Sequence, residues 1–246
     1  MTGSEHSLAN IPFLAPLDEP ARKSLEQRAR WLRHKPSETI IDRESDSRDV
    51  YFVVKGRVRV VNFSLSGREV TFDEMDEGGV FGELAALDGQ PRSAGVVSLT
   101  DTLLAAVSPD TFLNMLRDHP DMAISLMQEL AKIVRASTGR IMDLSTLGAH
   151  NRVHSEILRE ARLCAEDDAN EARISPIPVH ADIAARVSTT RETVARVLSD
   201  LAKQNLVKRE KDALVVVDLE RLEDLDDVQN VYSNADISEE ILEQLG

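Results

Sequence analysis

The sequence predicts an α+β chain in three parts: an N-terminal antiparallel β-roll, a long dimerisation helix and a C-terminal winged helix-turn-helix. Three observations predict it. Residues 35–107 hold brief β-branched runs broken by turn residues, the residues after Pro120 keep a helical pattern for nearly thirty positions, and residues 179–217 read as helix, turn, helix and two short strands. At 246 residues, 42% hydrophobic and 29% charged, the chain has the balance of one large globular domain or two ordinary ones.

The first element is a short helix. Asp18 stands as its N-cap and Pro20 in its first turn, and Ala21, Leu25, Ala29 and Leu32 follow at helical spacing. Candidate strands come next: Thr39–Ile41, Val50–Val54, Val58–Val61, Glu69–Phe72, Ala94–Val97 and Leu103–Val107. Turns fall at Lys55-Gly56, Leu65-Ser66-Gly67, Gly78-Gly79 and Asp88-Gly89. Strands this short and close together predict a small antiparallel barrel or roll.

Along the long helix, Leu126, Leu130, Ile133, Ser137, Ile141, Leu144 and Gly148 advance by steps of four and three. So narrow a stripe is the seam of a two-stranded coiled coil and predicts a homodimer. Ser137 interrupts it, either as a polar residue that fixes register or as a hydroxyl that reads something bound beside the dimer axis. Val153, Ile157, Leu158, Ala161, Leu163 and Ala165 mark a further amphipathic helix, and Glu166–Glu171 reads as a solvated loop. Val179–Val187 is then a short helix, Ser188-Thr189-Thr190 the turn and N-cap, and Arg191–Gln204 a second helix. Leu206–Arg209 and Ala213–Val217 are the strands of a wing. The tail from Asp218 carries Ile237, Ile241, Leu242 and Leu245 at helical spacing, as a packed cap or a solvated arm.

Charge and cysteine use exclude several classes. A net charge of −14 argues against nonspecific binding to phosphates, but it is unevenly spread. Residues 174–217 hold seven Lys/Arg against five Asp/Glu, whereas residues 218–246 hold one Arg against ten Asp/Glu, so any phosphate contact should come from the former. Cys164 alone supplies neither an internal disulfide nor the ligands of an iron–sulfur or structural zinc site. The His150/His154 pair has no partner motif for a metal, and none is expected. No apolar run approaches the roughly 20 residues of a membrane span, and the N-terminus lacks a signal pattern. A cytoplasmic protein without a membrane partner is expected, and no nucleophile–base constellation suggests an enzyme.

Two segments carry chemistry. The first, residues 81–94, places Gly82, Glu83 and Leu84 ahead of a short turn, and then Arg92 and Ser93. A guanidinium matches a phosphate bidentately, a hydroxyl and backbone N–H groups complete a cradle, and a carboxylate accepts from a ribose hydroxyl, which suits a cyclic phosphodiester. The rival is a plain Glu83–Arg92 ion pair tying two strands. The second segment is Thr190-Arg191-Glu192-Thr193-Val194-Ala195-Arg196. Arginine reads guanine O6/N7 and glutamate accepts from cytosine N4, so Arg191, Glu192 and Arg196 at a helix start suit major-groove reading, against the rival of an ordinary Glu192–Arg196 helix pair. Lys208 and Arg209 in the wing suit phosphate contacts.

Gly82-Glu83-Leu84 followed by Pro91-Arg92-Ser93-Ala94 resembles the phosphate-binding cassette of cyclic-nucleotide-binding domains. With the helix-turn-helix downstream, the chain resembles the catabolite activator (CRP/FNR) family of bacterial transcription regulators from about residue 11 to residue 217. The resemblance implies that Glu83 binds the ribose 2′-OH and that Arg92, Ser93 and backbone N–H groups near Gly82 and Leu84 hold the cyclic phosphate. It also implies that Ser137 and Thr138 touch the base. Residues 1–120 are then a cyclic-nucleotide-binding roll, 121–150 a dimerisation helix, 151–217 a DNA-binding domain and 218–246 an acidic extension.

The expected ligand is cAMP, with cGMP the other purine candidate because the family's Thr-Ser pair is reversed here. The expected partners are double-stranded DNA with TGTGA-like palindromes, a second copy of the chain, and RNA polymerase through surface loops such as Glu166–Glu171. The alternative keeps the fold and DNA binding with another effector or none. Two departures from the family carry expectations of their own. Ser37 and Glu44 replace turn glycines, which implies altered backbone there. Val179, His180 and Ala181 replace polar phosphate contacts on the first helix of the helix-turn-helix.

Overall fold

The computed structural model describes residues 6–64, 67, 69–166 and 169–225. It divides into two compact units, Met1–Thr146 and Leu147–Gly246. Parts of the Leu65–Gly67 turn and of the 166–171 loop, and the tail after Leu225, lie outside the described residues.

In the first unit a 3-10 turn, Pro12–Leu14, precedes α1, Glu19–Arg28, whose first turn is capped by Asp18 accepting from the Ala21 amide at 2.8 Å. The helix stops at Arg28, short of the predicted Leu32. Residues Arg30–His34 form β1 instead, because they find a full ladder on β8, Thr102–Val107. Between them come β2 (Thr39–Ile41), β3 (Val50–Lys55), β4 (Val58–Phe63), β5 (Glu69–Met75), β6 (Val80–Phe81), α2 (Glu83–Asp88) and β7 (Gly95–Ser98).

The strands make two four-stranded antiparallel sheets, β1-β8-β3-β6 and β2-β7-β4-β5. β3 and β8 are buried on both faces. Tyr51, Val53, Leu104 and Ala106 pack with Val58, Phe81 and Val96 in one cluster, while Val50, Phe52, Ala105 and Val107 pack with Phe112, Met115, Met122 and Leu126 in another. That is the period-two alternation of a strand covered on both sides. Ser37 does not shift the backbone as expected from its missing glycine. It keeps a left-handed φ of 68° itself, with its amide bonded to the Ser98 carbonyl at 2.8 Å.

Ser108 caps α3, Pro109–Asp118, and α4 follows from Pro120 to Thr146 over 27 residues. Of the seam read from sequence, only the N-terminal end is taken up by the unit's own core, while Ile133, Ile141 and Leu144 stay 45%, 63% and 43% exposed. Leu126 is buried in the unit's own core, and Leu130 packs against that core. Gly148 is the N-cap of the next helix rather than a seam position. The outward stripe is Met127, Ala131, Val134, Thr138, Ile141 and Ser145, again spaced by four and three, with Met127 58%, Val134 63% and Ile141 63% exposed.

The second unit begins with α5, Ala149–Cys164, and continues through β9 (Ala172–Ile174), α6 (His180–Arg186), α7 (Arg191–Lys203), β10 (Val207–Arg209), β11 (Leu214–Val216) and α8 (Leu219–Asp224). The small sheet has the order β10-β11-β9. Val153, Ile157 and Ala161 of α5 pack with Ile183, Val194, Val197 and Leu201 of the helix pair. Arg152 donates to the carbonyls of Leu147, Val187 and Ser188 at 2.8–3.3 Å, fixing α5 to the turn before α7.

The predicted boundary at 217 moves outward. Leu219 and Leu222 of α8 belong to this core, and Asp218 caps the helix, so the first residues of the acidic segment are a packed cap. The described end of the 166–171 loop is anchored at Asn170. Asn170 bonds the Asp218 side chain and accepts from the amides of Leu219 and Glu220 at 2.9 Å.

Candidate functional site

β6 delivers the chain to Gly82, which caps α2 with φ 85° and ψ 2°. Glycine is required there on two counts. The left-handed φ disfavours any side chain, and a Cβ would stand 2.8 Å from both Arg92 Nη1 and the Asp49 carbonyl. α2 ends at Gly89, also left-handed at φ 71°, so the chain turns back within a few residues and brings Arg92 under Gly82.

Arg92 is 5% exposed. Its Nη1 donates to the Gly82 carbonyl at 2.9 Å, and its Nη2 to the Asp49 carbonyl at 2.8 Å and the Ser47 hydroxyl at 3.1 Å. The guanidinium lies 5.9 Å from the Tyr51 ring centroid, and that ring stacks on Phe81 at 5.0 Å. Its Nε is buried without an acceptor among the described residues. Every direct hydrogen bond of this buried cation therefore ends on a neutral oxygen. Burial pulls its pKa down, and the neighbouring Tyr51, Asp49 and Glu83 oppose that shift.

No ion pair joins Glu83 to Arg92 among the described residues, so the simple strand-tying pair does not form. Burial pushes the Glu83 carboxyl up, against the pull of its own backbone N–H and of the Arg92 charge. Leu84 is 38% exposed, and Ser93 is exposed with its carbonyl accepting from Asn62 Nδ2 at 3.2 Å. Gly82, Glu83, Leu84, Arg92 and Ser93 thus share one corner of the roll.

Ser137 and Thr138 do not share that corner by any hydrogen bond among the described residues. Both are exposed on α4, and the Thr138 hydroxyl donates to the Val134 carbonyl at 2.9 Å. Ser137 lies on the stripe of Leu126 and Leu130, the side that packs on its own roll, and Thr138 on the outward stripe. Sequence reasoning missed Ser47, Asp49 and Tyr51. Two of them serve Arg92 through a backbone carbonyl or a ring face, which no side-chain pattern announces. Arg30 pairs with the Asp49 carboxylate and so steadies that loop.

In the second unit Thr190 caps α7, its hydroxyl accepting from the Thr193 amide at 3.2 Å. Arg191, Glu192 and Arg196 are exposed around the start of the helix. Glu192 is held below its usual pKa by its own backbone N–H, the Thr190 hydroxyl and Arg191, in keeping with a carboxylate at a helix N-terminus. No Glu192–Arg196 pair forms among the described residues, and the Glu192 carboxylate turns back to the helix start instead.

Lys208 and Arg209 are successive on β10, so they point to opposite faces of the wing. Lys208 stands 3.5 Å from Glu210, which also pairs with Arg173. Arg209 is exposed, as are Val179 and His180 at the start of α6.

No described group of three or more His, Cys, Asp or Glu is placed to hold a metal ion, and no described helix is long and apolar enough to cross a membrane. A cyclic nucleotide-binding domain matches residues 31–119, and a Crp-like helix-turn-helix domain matches residues 151–225. The chain is 32% identical over 197 residues to the cyclic AMP receptor protein of Thermus thermophilus, covering 79% of this chain and 86% of that one. It is 25% identical over 173 residues to a CRP-like cAMP-activated global transcriptional regulator of Mycobacterium tuberculosis, covering 70% and 77%. A solved CooA mutant from Carboxydothermus hydrogenoformans has the same fold, with a TM-score of 0.76 at 20% identity over 89% of this chain and 97% of that one.

Proposed function

The chain belongs to the CRP/FNR family of DNA-binding transcription regulators that carry a cyclic nucleotide-binding domain, and from that premise we propose that it is a homodimer switched by a cyclic purine nucleotide, cAMP before cGMP. The observation that carries the reading is Arg92. It is a buried guanidinium whose hydrogen bonds all go to neutral oxygens, with Nε unused, beside a left-handed glycine and the first turn of a helix. A buried cation without a direct anionic partner is costly. A phosphate supplies the missing charge through short, charge-assisted bonds.

In this reading Arg92, the Ser93 hydroxyl and the amides around Gly82 and Leu84 hold the phosphate, and Glu83 accepts from the ribose 2′-OH. Ser137 addresses the base bound by its own roll, and Thr138 faces the neighbouring protomer. The outward stripe Met127, Ala131, Val134, Thr138, Ile141 and Ser145 is the dimer seam. The nucleotide acts by binding one arrangement of the dimer more tightly than another.

Arg191, Glu192 and Arg196, with Thr190 fixing the helix start, read base edges of a TGTGA-like half-site, while Lys208 and Arg209 touch phosphates on the two sides of the wing. Residues 169–171, held against α8 by Asn170, are the face offered to RNA polymerase. Arg191→Ala tests the DNA half without touching the sensor. Binding to a TGTGA palindrome should fall, and discrimination at one base pair of each half-site should drop by ~1–3 kcal/mol, with the nucleotide affinity unchanged. Lys208→Ala should instead weaken all sequences alike and flatten the dependence on salt. Unchanged base choice in Arg191→Ala would remove α7 from the role of reader.

A further inference from the structure

β9 reaches the wing through one long side chain. Arg173 of β9 and Lys208 of β10 are both in register with Val215 of β11, so the three form one row on the same face of the small sheet. Ala172 and Ile174, on either side of Arg173, point the other way into the unit's core. Glu210 follows two residues after Lys208, and its amide closes the wing turn on the Ala213 carbonyl at 2.9 Å.

The wing reads Lys-Arg-Glu-Lys-Asp from Lys208 to Asp212, so two carboxylates stand among the cations that would meet phosphate. Arg209 and Lys211 have no ion pair among the described residues, whereas the Lys208 ammonium has a Glu210 oxygen 3.5 Å away. A carboxylate so near can cancel the Lys208 charge. Arg173 takes that carboxylate up instead. Its Nη1 donates to Glu210 Oε2, the oxygen other than the one facing Lys208, and its Nη2 donates to Asp212 Oδ1 at 2.7 Å. Just past β9, the Ser175 hydroxyl donates to the Asp212 carbonyl at 3.2 Å. At 3.5 Å the contact to Lys208 is longer than a good N–H···O bond, so the short charge-assisted bond of Glu210 goes to Arg173. In keeping with that, Glu210 is held below its usual pKa chiefly by Arg173, with Lys208 contributing less.

We propose that Arg173 is a positioning residue for DNA binding: by holding the Glu210 and Asp212 carboxylates toward β9, it keeps Lys208 free to contact a backbone phosphate. This rests on the reading of the wing as a phosphate-contacting surface. Without Arg173, Glu210 closes on Lys208, and the pair presents no net charge to the duplex. Arg173 therefore acts through Lys208 and not by touching DNA. The two residues serve one contact, so their effects do not add. Because a phosphate contact carries no sequence information, the effect is the same on every duplex.

The test is the anisotropy of a labelled mixed-sequence duplex titrated with the full chain over a range of salt. Arg173→Gln, which keeps part of the stem and loses the charge, should weaken binding by about three- to tenfold near about 0.15 M salt and lower the salt slope by about one, the size of one phosphate contact. Arg173→Lys can still take up Glu210 and should stay close to wild type. In a Lys208→Ala chain, Arg173→Gln should cost nothing further, and adding Glu210→Gln to Arg173→Gln should restore the wild-type slope. Additive losses for Arg173→Gln and Lys208→Ala would make Arg173 a phosphate contact in its own right and overturn the positioning role. Full affinity in Arg173→Gln, or no recovery on adding Glu210→Gln, would overturn it too. An unchanged affinity and slope in Lys208→Ala would instead overturn the wing reading, and the positioning role with it.

Discussion

Arg92→Ala should abolish nucleotide capture, raising the dissociation constant for cAMP by about 30- to 1000-fold, as expected for losing a buried charged partner worth ~2–4 kcal/mol. The size follows from where the guanidinium sits. It is 5% exposed, beneath Gly82 and beside the Asp49 carbonyl, where a phosphate would meet it out of water. Arg92→Lys should rescue little, because an ammonium cannot present the planar fork that matches a phosphate. The substitution also deletes donors to the Gly82 and Asp49 carbonyls and the Ser47 hydroxyl, at about 1–3 kcal/mol for a buried group left unpaired. A modest fall in melting temperature with an intact dimer is therefore expected alongside the binding loss. Calorimetry, with circular dichroism to confirm the fold, checks both. Normal cAMP binding by Arg92→Ala would show that the cassette does not hold phosphate.

Val134→Glu should have an effect of similar size on DNA binding by a different route. Val134 is 63% exposed at the middle of the outward stripe, with Ala131 and Thr138 beside it, and it makes no contribution to the buried core of its own unit. A carboxylate there would face its own copy across a coiled-coil seam, burying two like charges. The solution mass should halve while the helix content stays. Affinity for a palindrome should drop on the order of a hundredfold or more, since each half-site would then be bound without the effective concentration that the second one supplies. The matched change Leu130→Glu separates the two stripes. It should destabilise the roll itself, because Leu130 packs against that core. A dimer that survives Val134→Glu would place the seam elsewhere.

The two stripes of α4 also show where sequence reading runs out. Steps of four and three starting at Leu126 and the same steps starting at Met127 are both apolar, and periodicity alone does not say which one faces the chain's own sheet. That is decided by tertiary packing against Phe112, Met115 and Met122, which the spacing of α4 does not contain. The same limit hid β1, β6 and β9. Arg30–His34 continues the helical spacing of α1 and becomes a strand only because β8 offers it a ladder. Val80–Phe81 and Ala172–Ile174 are too short to carry a pattern.

Capping chemistry, by contrast, is local and was legible. Asp18 and Thr190 cap the helices they were expected to cap, and the helix-turn-helix lies within a residue or two of its predicted limits. The corner of the roll was half legible. Gly82, Glu83, Arg92 and Ser93 are recognisable by residue type and spacing. Beside the Gly82 carbonyl, the oxygens that hold Arg92 come from Ser47 and Asp49, more than forty residues upstream, and the Asp49 acceptor is a backbone carbonyl that its side chain does not announce.

The measurement that tests the central claim most directly is the anisotropy of a labelled duplex carrying a TGTGA palindrome, titrated with the full chain at fixed salt, with and without saturating cAMP. If the nucleotide site and the reading helix are coupled, cAMP should tighten DNA binding by about 5- to 150-fold, the range of ordinary allosteric coupling, and Arg92→Ala should show the weak value under both conditions. The same affinity with and without cAMP, in wild-type protein shown to be dimeric, would contradict a nucleotide-switched regulator.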